Sequence, residues 1–156
     1  MSLLETIGGL LVALVVIGSA AYGLYSAFSK NNVASTEQAL VTLRMQTQQF
    51  FFGTAYDNLD NDVAMTAGIV PEALIKNNTM RNAWGGDVTL SSDNAAGTFS
   101  IELTEIPQDA CVQLARFQTD AWESIAINGG DVDTSDVTAI TGACQDGDNT
   151  VAFTAR

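Results

Sequence analysis

One carboxylate, Glu5, stands at the head of a long uncharged run that ends only at Lys30. A carboxylate in apolar surroundings is costly, so its presence points to a cationic partner. Two cysteines, Cys111 and Cys144, allow one disulfide and no zinc framework. Histidine is absent, which removes imidazole base chemistry, imidazole metal ligands and a switch near neutral pH. No nucleophile–base pair and no phosphate loop can be assembled, so neither an active site nor a cofactor is expected. Asp131-Val132-Asp133-Thr134-Ser135-Asp136 and Asp146-Gly147-Asp148-Asn149 resemble pieces of calcium loops, but neither completes the EF-hand spacing. Solvated acidic loops are the simpler reading, and no metal is expected. Asn77-Asn78-Thr79 fits the glycosylation sequon, a weak pattern expected to stay unmodified. With 18 acids against 6 basic residues the net charge is −12. That leaves no basic surface for phosphate, and nucleic-acid binding is not expected.

The elements that must position these groups are segregated along the chain. Glu5, Lys30, Glu37 and Arg44 cancel over residues 1–54, so the whole negative charge lies beyond them. Ile7 to Phe28 is uncharged and, as a helix, about 33 Å long, enough to cross a hydrocarbon core of about 30 Å. No basic region precedes it, which argues for a retained membrane helix over a signal peptide. Residues 1–28 are therefore expected to form an apolar membrane or filament-core helix. Residues 29–53 are its amphipathic continuation, with Val33, Leu40, Leu43, Thr47 and Phe50/Phe51 at helical spacing and Gly53-Thr54 as the stop. Small residues recur at Gly9 and Ala13 and again at Ser19, Gly23 and Ala27, a spacing that lets helices approach closely. Gly18 and Gly23 also weaken the helix, so Gly18, Ser19 and Gly23 are expected to serve helix packing or local melting.

Residues 54–156 are expected to form a globular head. Val70 to Asn77 has the marks of a short helix, with Pro71 at the first position. Asn82 to Gly86 is a turn. Val88 and Leu90 alternate with polar residues, the loop Ser91–Gly97 follows, and Phe99, Ile101 and Leu103 alternate again, which predicts an antiparallel hairpin. Ile125/Ile127 and Val151/Phe153 give two more short strands. Phe50 to Phe52, Trp84 and Trp122 are expected in core and edge packing. Pro107 opens a helix with Cys111, Leu114 and Ala115 on one face, and Asp136 opens another with Val137, Ile140 and Cys144 aligned. Two buried free thiols are the alternative to a bond between them. A disulfide would close a loop of about 34 residues and contribute about 3.5–4 kcal/mol. With a membrane anchor and no other cysteine, the disulfide is the expected state, in an oxidising compartment. The fold class is α+β: a long N-terminal α-helix, apolar in its first half, packed on a small antiparallel β-sheet head with short helices and one disulfide.

Met1-Ser2-Leu3-Leu4-Glu5, running straight into the uncharged helix, resembles the mature N-terminus of a type IV pilin, and Met in the first place resembles the type IVb subclass. Asn82-Ala83-Trp84-Gly85-Gly86-Asp87-Val88 is similar to a segment of bundle-forming pilins. Ile106 to Cys111 resembles the region of the first disulfide cysteine in type IVb pilins, and Cys144 with the terminal strand Thr150–Arg156 resembles the second. The resemblance implies a chain processed by a prepilin peptidase and N-methylated at Met1. It also implies that Glu5 neutralises the Met1 amine of a neighbouring subunit and so sets register.

The function these features imply is that of a major structural subunit, not an enzyme, polymerising into a type IVb pilus for surface attachment, cell aggregation or conjugative mating-pair stabilisation. Its partners would be copies of itself, the prepilin peptidase and the pilus assembly machinery. Before assembly it would sit in the inner membrane, and afterwards in an extracellular fibre. A minor pilin or a secretion pseudopilin is the alternative, and a single-pass periplasmic binding module is the alternative of another class.

Overall fold

The computed structural model describes Thr6 and residues 31–52, 55–117 and 119–156. The chain divides into two compact units, Met1–Asn31 and Asn32–Arg156. Met1, Glu5, Gly18, Ser19 and Gly23 lie outside the described residues, as do the apolar helix expected over 1–28, Thr6 apart, and the Gly53-Thr54 stop. Among the described residues no helix is long and apolar enough to cross a membrane.

In the second unit, helix α1 runs to residue 50. Its inner stripe is Val33, Thr36, Leu40, Leu43 and Thr47, all buried, at alternating steps of three and four. Thr47 fits this apolar row because its hydroxyl donates to the Leu43 carbonyl at 2.7 Å, one turn back. Helix α2 (Asn61–Ala67) starts where the Asp60 carboxylate accepts from the Val63 amide and stops at Gly68, in the left-handed region at φ 71°.

The segment expected to be helical over 70–77 is instead a single 3₁₀ turn, Glu72–Leu74, running into a small hairpin. Strands β1 (Ile75–Lys76) and β2 (Thr79–Met80) pair antiparallel. The two residues between them, Asn77 and Asn78, have φ of 52° and 60°. A two-residue hairpin of this type needs positive φ at both positions, which Asn tolerates. Asn77 therefore turns the chain instead of ending a helix.

The main sheet has five strands in the order β3-β4-β7-β5-β6. They are β3 (Val88–Asp93), β4 (Thr98–Ile106), β5 (Ser124–Ile127), β6 (Gly130–Asp131) and β7 (Asn149–Ala155). The hairpin β3–β4 appears as the alternation requires, but β3 runs to Asp93, so the loop is shorter than Ser91–Gly97. The C-terminal strand β7 lies centrally, between β4 and β5. Leu90, Phe99, Ile101, Leu103, Ile125, Val151 and Phe153 turn inward and join the α1 stripe in one core.

Helix α3 (Gln108–Ala115) follows Pro107, and α4 (Val137–Ala143) follows Asp136, whose carboxylate accepts from the Thr138 and Ala139 amides. Ile140 and Cys144 point inward as expected. Val137 does not: it is 45% exposed. It sits at the first helical position, directly after the exposed acidic loop. Phe50 and Phe52 also depart from expectation, at 55% and 89% exposed. Of the three phenylalanines Phe51 packs on the core, its ring 5.6 Å from Tyr56, which in turn meets Phe99 at 4.9 Å. Trp122 is buried against Phe153, and Trp84 is half-buried.

Candidate functional site

Two features of the head stand out: a covalently locked region and an uncharged helix face. The lock is the disulfide Cys111–Cys144, with Cα atoms 5.9 Å apart. Cys111 comes from the buried face of α3 and Cys144 from the end of α4. The Gln108 side chain donates to the Cys144 carbonyl at 3.0 Å and fastens the same corner. The loop after Cys144 is held by Asn149, which is 1% exposed. Its carboxamide donates to the carbonyls of Ile106, Gln145 and Gly147 and accepts from the Gln145 amide at 2.7 Å and the Asn128 side chain at 2.9 Å. A buried amide with this many partners holds its loop in one arrangement.

A second polar knot fixes the loop before β3. Asn82 is fully buried, and its side chain accepts from the Trp84 and Gly86 amides and donates to the Thr104 carbonyl at 2.7 Å. Glycine is required at 86, because a Cβ there would collide with that same carbonyl oxygen. Glu105, next along β4, has φ of 57°, at the point where the β4–β7 register shifts.

The acidic segments perform local tasks. Asp133 accepts from the Ser135 amide at 3.0 Å and its hydroxyl at 2.6 Å, which hold the carboxyl below its ordinary value. Asp136 caps α4. Among the described residues no three metal-ligating side chains cluster. Cations on the head are drawn to groups of its own: Arg81 to Asp87 at 2.9 Å, Arg156 to Glu123 at 3.0 Å, and Arg44 over the Trp122 ring at 4.8 Å.

The helix face was not foreseen. From residue 34 to 52, every exposed position of α1 and its terminal turn is uncharged: Ala34, Ser35, Gln38, Thr42, Met45, Gln46, Gln49, Phe50 and Phe52. The two charges on this helix, Glu37 and Arg44, are both half-buried at its flanks, and burial raises the Glu37 carboxyl above its ordinary value and lowers Arg44. Met45 is 55% exposed, and Phe50 forms one wall of an open apolar groove against Val63 and Ala67 of α2. The signal was present in the sequence as a second row, Ala34, Gln38, Val41, Met45 and Phe52, without a charge.

Residues 29–156 match the family described as "PilS N terminal". No curated protein matches the chain. Among solved structures, the chain is similar to the crystal structure of TcpA, a type IV pilin from Vibrio cholerae El Tor biotype, with 15% identity and a TM-score of 0.60. That similarity covers 81% of this chain and 99% of the other, and it carries the fold. Helix, antiparallel sheet, disulfide corner and family match agree: the chain belongs to the PilS N-terminal family and is a type IV pilin, a structural and non-enzymatic protein.

Proposed function

We propose that the chain is the major subunit of a type IVb pilus, polymerising into an extracellular filament. The observation that carries this reading is the charge-free outward face of α1 on a molecule of net charge −12. Water imposes no need to strip every charge from a solvated helix face, and Met45, Phe50 and Phe52 lose favourable contact by standing in it. Contact with neighbouring copies gives such a face a use. Heterologous contacts repeated along an axis build an open helical fibre.

In this reading residues 1–28 form the filament core, 29–53 join core to head, and 54–156 coat the surface. Glu5 pairs with the amine of Met1 in a neighbour, which offsets the cost of a carboxylate in an apolar core and fixes the axial offset. Gly18, Ser19 and Gly23 let neighbouring helices approach or melt locally on assembly. Prepilin peptidase generates and N-methylates Met1, the subunit waits in the inner membrane, and the assembly machinery extracts it. The filament serves attachment, aggregation or mating-pair stabilisation.

Electron microscopy of material sheared from producing cells, with mass spectrometry of its N-terminus, tests this. The expected result is filaments built of this chain with a methylated Met1. Sheared material in which the chain is a trace component would reject the major-subunit role.

A further inference from the structure

The five-stranded sheet has two open ends, and they differ. Strand β6 is only Gly130–Asp131, too short to template another strand. Strand β3 is six residues long; within the sheet it has β4 on one side only, and on the other side the bridge between Arg81 and Asp87 reaches just its first end. The main-chain groups of Val88, Leu90 and Ser92 face away from β4, because strand groups alternate and the Leu90 amide points outward. It points at Asn61, the first residue of α2: the Leu90 amide donates to Asn61 Oδ1 at 2.7 Å, and Asn61 Nδ2 donates to the Val88 carbonyl at 2.8 Å. One carboxamide thus fills an acceptor and a donor position that the peptide groups of an adjoining strand would fill.

We propose that Asn61 is an edge guard: its carboxamide closes β3 to strand addition by a second copy of the chain. The guard is held in register by its own helix. Asp60 caps α2 immediately before Asn61, and the left-handed Gly68 ends it, so the side chain is presented from a fixed backbone. The carboxamide itself covers one donor and one acceptor. The next outward amide along the strand is that of Ser92, beyond the reach of this carboxamide. Without such a device the rest of the edge is a template for irregular sheet pairing between copies. The proposal stands apart from the filament reading, since it concerns a contact the head avoids.

The test uses the full chain in detergent and three forms: wild type, Asn61→Ala, and Asn61→Ala with Ser92→Pro. Proline at 92 removes an outward amide without breaking the β3–β4 ladder, so it blocks strand addition specifically. Asn61→Ala is expected to shift from the wild-type sedimentation profile to larger species with an intermolecular sheet signal in the infrared amide I band. Adding Ser92→Pro is expected to reverse both changes. An Asn61→Ala form that sediments as wild type, or a larger species that Ser92→Pro leaves intact, overturns the proposal. Hydrogen exchange on the wild-type protein needs no variant to fold: the Leu90 amide is expected to exchange at least about tenfold more slowly than that of Ser92, as a bond worth about 1.4 kcal/mol requires. Equal rates overturn the guard.

Discussion

The inner and outer faces of α1 are built from the same helix and read in opposite ways. The inner row, Val33, Thr36, Leu40, Leu43 and Thr47, disappears into the core. The outer row is as free of charge as the inner one, yet Met45, Phe50 and Phe52 stand in solvent. Burial explains the first. On an isolated head nothing explains the second, where a solvated face would ordinarily carry Lys, Glu or Arg. The difference teaches that the helix has two surfaces to cover, and that the head covers only one.

That contrast can be broken by removing what supports the inner side. The largest expected effect comes from Cys111→Ser with Cys144→Ser, which should lower unfolding stability by about 3.5–4 kcal/mol through the unfolded chain's regained freedom. Urea denaturation measures it, and a loss below 1 kcal/mol would show that the Asn149 and Gln108 contacts alone hold that corner. Next, Leu40→Ala should cost about 3 kcal/mol, since it empties a fully buried site. On the opposite face of the same helix, Met45→Ala should change stability by no more than about 0.5 kcal/mol. If the two substitutions cost the same, the faces are not distinct.

The smallest effect lies at the boundary between the faces. Burial raises the Glu37 carboxyl above its ordinary 4.5, so the folded state holds this proton longer than the unfolded chain does. The ionised group therefore penalises the fold once pH passes the raised value, and acidification back toward 4.5 relieves the penalty. Glu37→Gln should be slightly more stable than wild type at neutral pH, with the difference fading below that ordinary value. Melting curves across the acidic range would detect it, and a pH-independent difference would contradict the burial argument.

Much of this was legible in residue spacing, and the exceptions have physical causes. The inner row of α1, the hairpin around Leu90 and Ile101, the strands at Ile125 and Val151, and the two half-helices that bring Cys111 to Cys144 all follow from periodicity. The helix expected over 70–77 failed because Pro71, Glu72 and Lys76 imitate helix ends, while Asn77-Asn78 supplies a two-residue turn that wins by backbone conformation. Phe50 and Phe52 depart from the expected core and edge packing because hydrophobicity alone cannot tell a covered apolar residue from one awaiting a partner. Asn61 carried no signal at all. Its role depends on a strand edge nearly thirty positions further on, visible only once the sheet order is known. Asn82 and Asn149 are similar: each bonds its own loop, but each also needs a carbonyl far off in sequence, Thr104 for Asn82 and Ile106 for Asn149.

The most direct test of the outward face is to charge it. Met45→Glu with Phe52→Glu adds two carboxylates where the head itself makes no use of the surface. The account predicts a protein that melts as wild type does, retains its disulfide, and yields no filaments in sheared material under the electron microscope. Filaments of normal abundance and order from this variant would contradict it.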